Sequence, residues 1–180
     1  MNLILSIFVL AIPTQSPPSS IPAAPNLAAF EKLVSAYSKL HKQAESDTSS
    51  MKPTPTRSKI TAQREDLAGR IVALRQNAQQ GAIFTPVIAV ELRSLLKEAM
   101  SGAGAARVAK SLNRSEPRKF GLRVNAEFPS GLPLQTTPAT ILGGLPKLPA
   151  ELEYRIVGRS LVLRDVRANL IVDFLQEAIP

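Results

Sequence analysis

The sequence predicts an α+β protein in which a helical hairpin covers a small antiparallel sheet of about three to four strands. Two observations support this fold class. Residues 60–100 have the apolar periodicity of amphipathic helices, whereas residues 152–175 alternate as strands do. The 180 residues suit about one ordinary domain, and 44% of them are apolar, which is enough to form a core. We therefore expect a signal peptide over 1–24, a tethered helix with its linker over 25–59, and an α+β domain over 60–180.

The first segment has the composition of a signal peptide. An apolar run extends from Leu3 to Ile12, and small, polar and Pro-rich residues follow from Thr14 to Pro25. Ten apolar residues suit the central part of a signal peptide, whereas a membrane span needs about 20. No Lys or Arg precedes the run, and Ile21-Pro22-Ala23 only approximates a cleavage site. We expect a periplasmic or secreted protein with no transmembrane segment after processing; the alternative is an N-terminal helix or strand buried in the fold.

Helix one is predicted over 26–45, with Asn26 as its N-cap. Its apolar stripe consists of Leu27, Phe30, Val34, Tyr37 and His41. The linker 46–58 contains two prolines, which forbid a continuous helix. Helix one is therefore either loosely tethered to the rest or docked onto it by itself.

Two further helices are predicted on either side of Gly81. Helix two covers about 60–80, and its inward stripe is Ile60, Leu67, Ile71, Leu74 and Ala78. Helix three begins at Thr85 as N-cap, with Pro86 at the first helical position, and extends to about Met100. Its inward residues are Ile88, Leu92, Leu95, Leu96 and Ala99. Because the connection is short, these helices are expected to pack as an antiparallel hairpin. A short helix over 105–112 is a further expectation.

Strands are predicted in the C-terminal third. Residues 120–128 alternate, with Leu122, Val124, Ala126 and Phe128 on one face. Residues 129–149 contain five prolines and recurring leucines, which indicate extended chain docked on the core.

A hairpin is predicted over 152–166, with Gly158-Arg159 as a type II′ turn. In that register Ile156 faces Leu161 on an apolar face, and Glu153 faces Arg164 on the other. Asn169 then marks a turn, and 170–175 forms a third strand.

The chain resembles a group of exported bacterial proteins over about 60–180. The resemblance is carried by Gly81-Ala-Ile-Phe-Thr-Pro86 and by a C-terminal segment of the form LPxLPxELEYRxVGRxLVLRDxxANLIVDF, which covers 145–174 here. It implies a compartment outside the cytoplasm and transfers no activity, ligand or site residue.

The sequence lacks the residues that several kinds of site require. The chain has no cysteine, which excludes disulfides and thiolate sites, and its only histidine is His41. No Gly-x-Ser-x-Gly elbow or Gly-Lys-Ser/Thr phosphate loop is present. We expect no metal and no cofactor. A packing or capping role is favoured for His41 over that of a ligand or general base.

Paired carboxylates are the remaining catalytic option. Asp165 and Asp173 lie near the predicted sheet, among several arginines. An envelope hydrolase could use them if a cleft gave them unlike environments. The simpler interpretation is that Asp165 shapes a turn, Asp173 faces solvent and Glu153 pairs with Arg164.

Positive charge is concentrated in the middle of the chain. The formal net charge is +8, and residues 57–123 hold 13 basic and 5 acidic residues. Such a surface attracts anions. The candidate binding residues are Arg57, Arg64, Arg75, Arg114, Arg118, Lys119, Arg155 and Arg159.

Three functions follow as hypotheses. The first is a non-catalytic exported module whose sheet edge or basic helical hairpin contacts an anionic lipid, an envelope polymer or a periplasmic protein. The second is the hydrolase based on Asp165 or Asp173. The third, cytoplasmic nucleic-acid binding, requires an uncleaved N-terminus and is disfavoured by an aromatic content of only 4%.

Overall fold

The computed structural model describes residues 25–46, 56–101, 121–129 and 137–179. In chain order the described elements are α1 (Pro25–Ser46), α2 (Arg57–Leu74), α3 (Pro86–Ala99), α4 (Ala139–Gly144), β1 (Leu152–Val157), β2 (Ser160–Asp165) and β3 (Leu170–Leu175). The predicted α+β class is confirmed. The predicted signal peptide, most of the linker and the predicted helix at 105–112 lie outside the described residues.

The three strands form one antiparallel sheet in the order β1-β2-β3. The predicted register is confirmed, with Glu153 opposite Arg164 and Ile156 opposite Leu161. Gly158 has φ +59, and Arg159 is not among the residues of positive φ, which is the sign pattern of a II′ turn. Asn169 has φ +54 in the tight connection to β3. Local alternation and turn chemistry therefore determine this hairpin.

Both faces of the sheet are covered. Side chains of one face join the main core, which also contains the helices: Leu152, Tyr154, Ile156, Leu161, Leu163, Leu170 and Val172. Val157, Val162, Ile171 and Phe174 form a second cluster on the opposite face with Phe128, Leu122 and Val124. All six residues of β3 are buried as a result. The predicted exposure of Asp173 is therefore wrong, because its side chain is 0% exposed.

Residues 121–129 cover the second face, as their alternation indicates, but they form a single bridge rather than a full strand. Glu127 bridges Leu170, and the Asn125 and Phe128 amides donate to carbonyl groups of Ile171 and Asn169. Asn125 has φ +63, a left-handed conformation that interrupts an extended strand. The predicted strand over 120–128 is thus shortened by a turn within it.

Helix α1 docks on the core, which decides between the two alternatives left by the sequence. Phe30, Val34, Tyr37 and His41 are buried, as the predicted stripe requires. The ring of Phe30 stacks on Phe84, with centroids 6.2 Å apart. The helix packs against both α2 and α3.

Helices α2 and α3 each lie closer to α1 than to each other. Residues 75–85 between them are held on β3, because the amides of Gly81, Ile83 and Phe84 all donate to Asp173. Helix α1 contacts both helices.

Helix α2 ends at Leu74 rather than near Gln80. Arg75 follows as C-cap, its side chain is buried, and its carbonyl accepts from the Nδ2 of Asn125. The early end leaves Leu74 44% exposed, and Ile60 at the other end of the helix is 51% exposed. The inward prediction therefore holds for Leu67 and Ile71, but not for Ile60 or Leu74.

The connection before β1 contains a short helix that was not predicted. Residues 139–144 are helical, and the backbone is extended at Pro138 before the helix and at Leu145 after it. Ile141 is fully buried, and Gly144 lies against α3, where an added Cβ would be 3.4 Å from the Cβ of Ala99. Prolines on both sides concealed this helix, because they bound the helical segment rather than interrupt it.

Two glycine-to-alanine substitutions should have opposite effects on the free energy of unfolding. Gly158→Ala forces a Cβ into a left-handed conformation and should destabilise by roughly 1–2 kcal/mol. Gly69→Ala lies within α2, where an added Cβ meets nothing within 4 Å, and should stabilise by about 0.5–1 kcal/mol. Urea denaturation measures both, and a Gly158→Ala variant that is as stable as the wild type would contradict the assigned turn.

Candidate binding site

Asp165, at the end of β2, is a fully buried junction between α1 and the sheet. Its carboxylate accepts from the hydroxyl of Tyr37 at 2.7 Å, from Nδ1 of His41 at 2.6 Å and from the amide of Ala168 at 2.7 Å. The last bond closes the turn after β2, as the turn-shaping interpretation predicted. The other two fix α1 across the sheet.

The contacts among Asp165, His41 and Tyr37 favour an ion pair between the Asp165 carboxylate and a protonated His41. Burial acts to raise the pKa of Asp165, but the hydrogen bonds from His41, Ala168 and Tyr37 outweigh it, and the pKa is lowered. Burial acts to lower the pKa of His41, but the hydrogen bond and charge of Asp165 outweigh it, and the pKa is raised. Burial and the Asp165 charge raise the pKa of Tyr37, so its phenol stays a donor.

The second ring nitrogen of His41 faces α1 itself. Its Nε2 lies 4.0 Å from a carboxylate oxygen of Glu45 and has no hydrogen-bond partner among the described residues. Glu45 in turn pairs with Arg167. Since His41 is only 2% exposed, a substrate could not reach it without movement of α1.

Asp173 is equally enclosed. One carboxylate oxygen accepts from the amides of Ile83 and Phe84 at 2.7 and 2.8 Å, and the other from those of Gly81 and Phe174 at 2.9 and 2.8 Å. Four backbone donors therefore hold the side chain between β3 and the chain that leads into α3. This is the arrangement of a structural carboxylate that orders a loop.

Arg75 is buried rather than part of a basic surface. Its guanidinium donates to Oδ1 of Asn125 and to the carbonyl of Val172, both at 2.9 Å, and lies 5.1 Å from the ring centre of Tyr37. Burial lowers its pKa. Its charge joins α2 to the sheet and is not presented to an anion.

Three of the other candidate basic residues that the structure describes have a carboxylate partner. Arg64 lies 3.8 Å from Glu127, Arg155 donates to both carboxylate oxygens of Glu153, and Arg159 pairs with Glu177 at 3.1 Å. Arg57 is exposed at the start of α2. Arg114, Arg118 and Lys119 lie outside the described residues.

A cavity of about 340 Å³ lies between β1 and the chain that precedes it. Its walls are Leu142, Leu145, Pro146, Lys147 and Leu148 on one side, and residues 152–155 on the other, with Thr137 at one end. Leu142 is 43% exposed, so this wall reaches solvent. Two bonds position the walls: the Thr137 hydroxyl donates to the carbonyl of Tyr154, and the Tyr154 hydroxyl donates to that of Pro146.

The cavity lies beside an edge strand. The II′ hairpin makes Val157 and Ser160 a hydrogen-bonded pair, so the backbone groups of Tyr154 and Ile156 are directed away from β2. Within the described parts of the chain, no backbone hydrogen bond reaches the amide of Tyr154 or either group of Ile156 from that side. A strand edge with unpaired groups can accept another extended segment.

Sequence reasoning predicted the sheet edge as a contact surface but missed the cavity. The recurring leucines at 142, 145 and 148 are the available signal, but in the sequence they indicate only chain docked on the core. Lys147 lies among them and belongs to the cavity wall, although it lies outside the basic segment 57–123.

The described residues show neither a metal centre nor a membrane span. Among them, no group of three or more His, Asp or Glu side chains could hold a metal ion. None of the helices described is both long enough and apolar enough to cross a bilayer.

No protein-family model matches the chain, and no curated protein or solved structure is significantly similar to it. Its class is therefore defined by the fold and the site: a small α+β domain with a largely apolar cavity beside a strand edge that no described residue pairs with.

Proposed function

We propose that the chain is a non-catalytic, exported interaction module that binds a protein partner at the edge of β1. The observation that supports this most directly is the cavity beside an edge strand whose outward backbone groups at Ile156 have no partner among the described residues. A partner segment that pairs with β1 would gain main-chain hydrogen bonds, and its side chains could enter the cavity. The apolar leader at 3–12 and the resemblance to exported proteins support a location outside the cytoplasm.

The residues best suited to catalysis support the same proposal. Asp165 and Asp173 were the candidates for a hydrolase, and both are fully buried and engaged by several hydrogen bonds. A general acid or base has to reach substrate directly or through one water. Their bonds explain both residues as parts of the fold, so we favour binding over hydrolysis.

Four of the candidate cations that the structure describes give little support to nucleic-acid binding. Arg75 is buried, and Arg64, Arg155 and Arg159 each have a carboxylate partner. Phosphate binding depends on several cations that are available to the backbone of the nucleic acid.

A photo-crosslinking amino acid at Leu142 should capture the partner in intact cells, whereas the same group at Val90 should not. Leu142 lies at the cavity, and Val90 is 68% exposed on α3. The captured chain, identified by mass spectrometry and purified, should bind the wild type by calorimetry. Its affinity should fall at least tenfold for Leu142→Glu, which places a charge against the apolar wall.

Equal capture at both positions, or equal affinities of the wild type and Leu142→Glu, would contradict the assigned surface. The same cells also give the compartment and intact mass of the chain. An unprocessed protein in the cytoplasm would contradict export and would favour the nucleic-acid hypothesis.

A further inference from the structure

The geometry points to the kind of segment that the β1 edge binds: we propose an extended polypeptide with an apolar side chain next to a carboxylate. This inference rests on the function proposed above and specifies its ligand. Three features of the site carry it, namely the unpaired backbone groups, the apolar walls and the charge of Lys147.

The backbone groups determine that the ligand is extended. The amides of Tyr154 and Ile156 and the carbonyl of Ile156 are directed away from β2, whereas the carbonyl of Tyr154 already accepts from Thr137. One donor and one acceptor on Ile156 and a further donor on Tyr154 match an added strand over a short length. A helix has no backbone groups to offer along its side, so it would leave these three unpaired.

The walls determine that one side chain of the ligand is apolar. Leu142, Leu145 and Leu152 line the cavity, and its volume of about 340 Å³ falls at the small end of the range for ligand sites. Side chains alternate along an added strand, so every second one would be directed to the same side. A single large apolar residue at such a position would be covered by these leucines.

The positive charge of Lys147 determines that the ligand carries a negative charge next to its apolar side chain. The cavity wall holds two cations and one anion, and Arg155 already donates to both oxygens of Glu153. Lys147 makes no ion pair with any residue that the structure describes. An approaching carboxylate would therefore meet an uncompensated ammonium group, and a basic side chain would be repelled.

The test is selection of peptides from a random heptapeptide display library on the purified mature protein. Enriched peptides should combine a large apolar residue with Asp or Glu. A representative synthetic peptide should bind at least tenfold more weakly to Lys147→Glu, and its Asp-to-Lys counterpart should recover on that variant. Lys42→Glu, an exposed change on α1, makes the same charge reversal away from the cavity and should leave the affinity unchanged.

Two further readouts examine the strand addition. The bound peptide should slow hydrogen exchange at the Ile156 amide. N-methylation of alternate peptide residues should abolish binding when it removes the amides that pair with β1. Methylation of the other alternate residues should leave binding intact. Binding without protection of Ile156 would overturn the extended mode. Neutral or basic enriched peptides that still lose affinity for Leu142→Glu would overturn the charge assignment and leave the proposed function intact.

The remaining outcomes also test the proposed ligand and the proposed function. Peptides that bind Leu142→Glu as well as the wild type would place the site elsewhere and remove support from both proposals. If no peptide is enriched, the inference fails; a partner crosslinked specifically at Leu142 would still support the proposed function. If sedimentation showed concentration-dependent dimerisation through β1, the occupant of the site would be a second copy of the chain. If the protein bound only to anionic vesicles, the occupant would be a membrane surface. Either result would overturn the peptide ligand.

Discussion

Asp173→Asn should be among the most destabilising single substitutions in this protein, lowering the free energy of unfolding by about 2–5 kcal/mol. The carboxylate accepts four backbone amides, two on each oxygen. Asparagine keeps the shape but has one acceptor oxygen, and its NH2 group would face two amides that can only donate. Each buried donor left without an acceptor costs roughly 1–3 kcal/mol.

Urea denaturation measures the loss, and Asp66→Asn is the matched control. Asp66 is 47% exposed and pairs only with Arg70 one turn along α2. Surface pairs of this kind contribute about 0–1 kcal/mol, so the control should remain close to the wild type. A loss below about 1 kcal/mol for Asp173→Asn would contradict the role of the carboxylate in ordering the loop.

The same variant should have a local effect that the control lacks. The amides of Ile83 and Phe84 should exchange with solvent faster, since their hydrogen bonds to Asp173 are the ones removed. Phe84 stacks on Phe30, so the docking of α1 should weaken as well. Exchange at Ile83 and Phe84 that matches the wild type would show that other contacts hold this loop.

The parts of the fold that sequence predicted correctly depend on nearby residues. The register of β1 and β2 follows from the turn at Gly158 and from a two-residue alternation, both of which are local properties. The start of α3 after Thr85 and the buried stripe of α1 are local in the same sense. The edge of the sheet as a contact surface follows once the hairpin is predicted.

The parts that sequence missed depend on residues that are distant along the chain. Asp165 bonds His41 across 124 positions, and Asp173 bonds Ile83 across 90. Periodicity assigns a carboxylate in a strand to the solvent, because it carries no information about a distant donor. Buried Arg75 was assigned to a basic surface for the same reason.

The cavity was missed because its shape is set by two elements at once. The fold of 137–148 places the leucines, and the contacts of Tyr154 with Thr137 and Pro146 hold this segment against β1. Neither contact has a sequence pattern of its own. The role proposed for Lys147 likewise rests on its position in the cavity wall and on the pairing of Arg155 with Glu153.

Asp165→Asn should lower the free energy of unfolding by about 3–5 kcal/mol near pH 6, because it leaves a buried partner of an ion pair without its counter-charge. The Tyr37 hydroxyl and the Ala168 amide now donate to different carboxylate oxygens, and asparagine keeps only one acceptor oxygen for both. The loss should become smaller as the pH rises through the raised pKa of His41, because the pair then no longer contributes its charge. Urea denaturation over a series of pH values from 6 upward measures the difference, and a loss that does not change with pH would show that the pair is not ionised at pH 6.

The direction of the pH dependence follows from the two pKa shifts. The folded state raises the pKa of His41, so its contribution is fully present below about 6.5 and is lost as the pH rises through the folded value. The folded state lowers the pKa of Asp165, so its contribution is present above about 3.9 and is lost as the pH falls through the folded value. The pair therefore contributes most between about pH 4 and 6.5.

His41→Gln isolates this effect, because glutamine can still donate to Asp165 but does not titrate. His41 is the only histidine in the chain, and among the side chains it alone has an ordinary pKa near neutrality. The α-amino group also titrates in this range, but it is common to both proteins and cancels in the difference. The wild type should lose stability between pH 6 and 8 relative to His41→Gln, and parallel curves would show that the bond between α1 and β2 forms with a neutral imidazole.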